Sequence, residues 1–107
     1  MTQPQKSRRQ MLEEFLAASP NDAFARYGLA LECASSGEHE TAIQQFRQLL
    51  ATHPGYVGAY FQLGQLLARL ARKDEAKAIL SAGIAVAQQA GESHARDEMQ
   101  AALMALE

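Results

Sequence analysis

The sequence predicts an all-α chain of about six antiparallel helices built as a helical repeat, and three observations carry that prediction. The first is composition: 107 residues, 48% of them hydrophobic and 21% charged, make one foldable domain, while aromatics at 7% and the absence of Trp leave little material for a β-sandwich. The second is spacing, because between the turn residues the apolar positions follow a helical and not an alternating rhythm. The third is a period. Pro20 and Pro54 lie 34 residues apart, and the segments leading into them, FLAASP and LLATHP, correspond.

The elements follow in order. Residues 8–18 carry Met11, Leu12, Phe15 and Leu16 as one stripe, and Pro20-Asn21-Asp22 ends it. Residues 22–35 carry Phe24, Tyr27, Leu29, Ala30, Leu31 and Cys33 up to the turn at Gly37. Residues 38–52 carry Ala42, Ile43, Phe46, Leu49 and Leu50 up to Pro54-Gly55. Residues 57–71 carry Tyr60, Phe61, Leu63, Leu66, Leu67 and Leu70. Residues 73–90 carry Ala76, Ile79, Leu80, Ile84 and Val86, and Gly91 breaks them. Ser93 is the expected N-cap of a last helix with Ala95, Met99, Ala102, Leu103 and Leu106 inward. No strand is needed anywhere, and the turns interrupt any long heptad.

The 34-residue shift also aligns Ala25 with Ala59, Leu29 with Leu63, Ala30 with Gly64, Ala42 with Ala76 and Phe46 with Leu80. One copy reads Tyr60-x₂-Leu63-Gly64-x₂-Leu67 and then Ala76-x₃-Leu80; the other reads Arg26-x₂-Leu29-Ala30-x₂-Cys33 and then Ala42-x₃-Phe46. This resembles the tetratricopeptide repeat (TPR) family, whose pattern places a large aromatic, Leu-Gly, a Tyr, an Ala, a Phe and a closing Pro at these intervals. The chain departs from it at Arg26, at Cys33, and at Gln88, where the missing Pro lets the fifth helix run on to about Gly91. Small residues at Ala30, Gly64, Ala42 and Ala76 are expected to let paired helices approach, with Leu29, Leu63, Phe46 and Leu80 between successive pairs. The resemblance implies an α-α superhelix in a single domain over 1–107: a half-repeat helix at 8–18, repeats at 23–56 and 57–90, and a capping helix at 93–106.

Site chemistry is sparse. The lone Cys33 excludes an intrachain disulfide and a multi-cysteine zinc site, and reads as a small buried hydrophobe. His39 is expected in a turn, His53 before Pro54 and His94 at a helix start, with no metal-ligand spacing among them. The glycines form no phosphate-binding loop. No enzyme, metal or cofactor is expected. Ten basic against twelve acidic residues give −2, and the clusters Lys6/Arg8/Arg9 and Arg69/Arg72/Lys73/Lys77 are interrupted or followed by acids. A nucleic-acid surface is therefore not expected. The polar opening MTQPQKSRRQ holds no leader-like apolar stretch, and no run suits a membrane span, so the expected location is the cytoplasm.

What remains is a surface. The resemblance implies that the first helix of each repeat lines a concave groove. Phe24, Tyr27, Leu31, Ala34 and Ser35 would face it in one repeat, and Gly58, Phe61, Gln62, Gln65, Ala68 and Arg69 in the next. The strip Phe24, Tyr27, Leu31 and Phe61, followed by Gln62, Gln65 and Arg69, is the expected site for a protein or peptide partner. Tyr27 and Leu31 stand where a Lys/Asn carboxylate clamp would need its polar groups, which disfavours chaperone-tail binding. A homodimer through the groove or an end helix is the alternative.

Overall fold

The computed structural model describes residues 6–106, and among them the chain is six helices with no strand. These are α1 (Arg8–Ala18), α2 (Ala23–Ser35), α3 (His39–Thr52), α4 (Val57–Arg69), α5 (Lys73–Gln89) and α6 (Ser93–Met104). Each packs on the next, and α4 also touches α6 directly. The molecule is elongated, 55 × 28 × 21 Å, as expected of pairs stacked along one axis.

Two kinds of turn alternate, and the sequence dictates both. After α1 and α3 the proline turns close through Ser19 N–H to Phe15 O and His53 N–H to Leu49 O. The next helix then ties back to the proline carbonyl: Arg26 Nη2 donates to Pro20 O at 2.8 Å, and Tyr60 Oη donates to Pro54 O at 2.6 Å. Arg26 thus makes the same tie as its aromatic counterpart one repeat later, despite its different chemistry. After α2 and α4 the helix ends by a left-handed residue, Gly37 at φ 80° and Ala71 at φ 61°. There the N–H of Glu38 reaches Cys33 O, and that of Arg72 reaches Leu67 O. After α5, where Gln88 stands in place of a proline, the glycine-type ending is used again. Gly91 takes φ 74°, and Glu92 N–H bonds Ala87 O.

That turn corrects one detail of the sequence reading: the N-cap of α6 is Glu92, with Ser93 already inside the helix and no side-chain cap bond. His39 is likewise the first residue of α3 and not a turn residue. The one full capping box opens α1, where Ser7 Oγ accepts from Gln10 N–H and Gln10 Oε1 accepts from Ser7 N–H.

The core runs the length of the stack. Ala30, Cys33, Ala42, Phe46, Leu49, Leu63, Leu67, Ala76, Leu80, Ala87 and Met99 are each at most 1% exposed. A β-carbon on Gly64 would lie 2.6 Å from Leu80 Cδ2, so the close approach of α4 and α5 is real. It also places Leu80 inside its own helix pair, where the sequence reading set it between pairs, because its side chain fills the space that Gly64 leaves open on α4. Gly83 marks the junction of three helices, with Tyr60 Cβ and Met99 Sδ 2.5 and 2.6 Å from where its β-carbon would be. Met99 anchors α6; Leu103 and Leu106 are only partly buried beside it. The N-terminal reading of a leader-free start rests partly on residues 1–5, which lie outside the described residues.

Candidate interaction surface

The helices fall into two rows. The row α2, α4, α6 is joined by direct packing of α4 on α6 and by Tyr27 reaching from α2 to α4. Across the stack, α3 and α5 are bridged by long side chains, Arg47 Nη2 to Glu75 Oε2 at 2.9 Å. A second cation joins that bridge, since Arg72 pairs with Glu75 at 2.9 Å and with Glu40 at 2.7 Å. Its hydrogen bonds hold the Glu75 carboxyl below the usual carboxylate range. Arg69, Lys73 and Lys77 come from the same turn, but Arg72 is spoken for by its carboxylates. At the other end Lys6 pairs with Glu14, Arg8 with Glu32, and Arg9 with Glu13 and Glu38.

Tyr27 is the hinge of the first row. Its ring lies edge-on to Phe46 at 6.2 Å and tilted against Tyr56 at 5.1 Å, and its hydroxyl sits over the bare α-carbon of Gly58. Burial raises its phenol above the ordinary value, Tyr56 adds to that, and the nearby Gln62 side chain offsets part of it. Tyr27 thus reaches from α2 onto α4, over the space that the missing β-carbon of Gly58 leaves open.

The other expected residues are spread along the row. Leu31 is half-buried against the first core cluster, and Phe61 is half-buried against the second. Gln65 and Arg69 follow on α4, both exposed. Phe24 stands at the opening turn of α2, 74% exposed, and lines a recess shared with α1. Met11 and Phe15 stand on that same recess, 53% and 52% exposed, and sequence reasoning missed them by counting the whole α1 stripe as inward. Spacing gave no signal, since the 34-residue shift pairs Phe15 with Leu49, a buried position.

Among the described residues no group of three His, Cys, Asp or Glu could hold a metal, and no helix is long and apolar enough to cross a membrane. Cys33 is buried, and its thiol is pushed up mainly by that burial, the opposite of an activated nucleophile.

Six helices in two rows, with repeated turns and a graded polar-to-apolar face, define a helical-repeat protein-interaction module. The tetratricopeptide repeat family model matches residues 34–106, and the chain belongs to that family. Proteins of this family are generally non-enzymatic scaffolds that bind protein partners. A tetratricopeptide repeat domain protein from Salinibacter ruber, solved in solution, is 39% identical over 82% of this chain and 89% of its own, with a TM-score of 0.78. A protein from Bordetella parapertussis is 25% identical over 95% and 89%, with a TM-score of 0.82. MamA from Desulfovibrio magneticus, 18% identical over 92% of this chain and 64% of its own, shares the fold at a TM-score of 0.69. No match was found among curated proteins.

Proposed function

We propose that this chain is a non-enzymatic scaffold whose α2/α4 row binds a peptide, helix or protein surface. The residues in question are Phe24, Tyr27, Leu31, Phe61, Gln62, Gln65 and Arg69. The observation that carries the reading is the graded character of that row. Half-buried apolar and aromatic groups, Tyr27 and Leu31 on α2 and Phe61 on α4, stand beside exposed Gln65 and Arg69, which follow Phe61 at i+4 and i+8 along α4. Apolar anchors beside polar groups of fixed position are what a specific interface needs.

Tyr27 is a poor probe of this function because it also wedges the repeats together. Gln65 and Arg69 are better, since neither contributes to the core. The test is quantitative affinity capture from cells of the source organism, comparing the natural chain with a Gln65→Glu/Arg69→Glu variant of unchanged melting temperature. Proteins held by the first and released by the second support the groove. An identical set on both chains contradicts it.

A further inference from the structure

The 34-residue shift that relates the two repeats also runs backwards onto α1, where it reveals an open helix seat. Phe15 maps to Leu49, which is fully buried under its neighbours, yet Phe15 is 52% exposed. Phe24 maps to Gly58, which lies under the hydroxyl of Tyr27 from the preceding helix of its row, yet Phe24 is 74% exposed. Between Met11, Leu12 and Phe15 of α1 and Phe24 and Ala25 of α2 lies an apolar recess of about 410 Å³, with Arg8 at its rim. Exposed apolar clusters of this kind mark interaction sites.

We propose that the recess receives α1 of a second copy, forming a closed two-fold dimer through the N-terminal end of the stack. The face is its own complement. Helix α1 walls the recess and also projects Met11 and Phe15 from it, the i, i+4 spacing by which an amphipathic helix anchors in a groove. Charge sets the direction. Lys6 precedes α1 and Arg8 and Arg9 open it, while Glu13 and Glu14 stand in its second half, still 51% and 58% exposed within their pairs to Arg9 and Lys6, and no acid in the first turn offsets the helix dipole. An antiparallel pair puts the basic half of one copy against the acidic half of the other; a parallel pair would set like against like. Arg8 is 64% exposed even within its pair with Glu32, so a neighbour's carboxylate reaches it.

The opposite end does not offer a rival seat. Its helix turns Asp97 and Gln100 outward, both exposed, and Met104 at 72% is its one large exposed apolar side chain, with no second such residue beside it among the described residues. Helix α6 begins 36 residues after α4, which puts Gln100 at the position of Gly64. The 34-residue shift likewise puts Arg8 at the position of Ala42 and Ala76. Stacking head to tail would thus oppose Arg8 and Gln100 where each built repeat opposes two small residues. The end face is bounded by the 28 × 21 Å cross-section. An end face of that size offers at most the roughly 800 Å² per partner of a standard interface, so the dimer should separate on dilution.

Sedimentation of the full chain from about 5 to about 500 µM tests this. The expected result is a reversible passage from monomer to dimer with nothing larger. Phe15→Glu and Phe24→Glu should each hold the chain monomeric at the highest concentration with an unchanged melt, because both side chains already face solvent. Met11→Cys should form a disulfide-linked dimer on mild oxidation and Met104→Cys should not; the natural Cys33 is buried. A chain monomeric throughout, assemblies growing beyond two, or a dimer that survives both Glu variants would overturn the proposal. So would cross-linking through Met104→Cys in place of Met11→Cys.

Discussion

At Gly83 an added β-carbon would fall 2.5 Å from Tyr60 Cβ and 2.6 Å from Met99 Sδ, whereas at Gly28 the nearest atoms are the flexible methyls of Leu12 at 3.4 Å. The two glycines sit in helices and answer the same substitution in opposite ways. Gly83→Ala should overpack the junction and lose about 1–3 kcal/mol. Gly28→Ala meets ordinary contacts and gains helix propensity, so it should be neutral or stabilising by up to about 1 kcal/mol. Denaturant melts of the pair check this, and equal losses at both sites would contradict the three-helix junction. Ala71 offers the complementary case. It holds φ 61° where the equivalent turn uses Gly37 at 80°. A non-glycine residue there costs about 1–2 kcal/mol in the folded state, partly offset by its stiffer unfolded chain. Ala71→Gly should therefore raise stability by about 0.5–1 kcal/mol, seen as a melting temperature higher by about 2–6 °C.

Helices α1 and α6 are both end elements, but they finish the stack differently. Met99 is fully buried while Asp97, Glu98 and Gln100 face outward, so α6 closes one end with a mostly polar surface, broken by the exposed Met104. Deleting residues 93–107 would uncover Tyr60, Leu80 and Ala87. The truncated chain should melt earlier or aggregate, as light scattering during a thermal ramp would record. An unchanged melt of a monodisperse truncated chain would mean the helix merely decorates the end. The fold at this scale was legible because a repeat states itself twice. The paired proline turns and the small residue at Gly64 confirm one another across the 34-residue shift. The surface was less legible. Met11, Leu12, Phe15 and Leu16 form a stripe wide enough to face a neighbour on either side, and spacing alone cannot say that only Leu16 and Leu12 find one. Leu80 illustrates the same limit: its inward direction was readable, but the void it fills depends on the missing side chain of Gly64. For Tyr27 the sequence supplied a ring on the expected row, whereas its reach onto α4 required the bare α-carbon of Gly58 in another helix.

In the whole molecule each helix pair rests mainly on its neighbours, so stability should be graded along the 55 Å axis. Helix α4 packs against α3, α5 and α6, and its amides should exchange slowest; those of α1, with one helix partner, should exchange fastest. Native-state hydrogen exchange reads this directly, and uniform protection from α1 to α6 would point to a single all-or-none unit. The central claim concerns where such a stack meets its partner. Its most direct test is an NMR titration of the isotope-labelled chain with the protein recovered by capture. The α2/α4 row predicts shift changes and line broadening centred on Leu31, Phe61, Gln62, Gln65 and Arg69, with Tyr27 following through its contact with Gly58 of α4. Perturbations confined to Met11 and Phe15, or to the Arg72–Glu75 turn, would contradict it and move the binding surface away from the row.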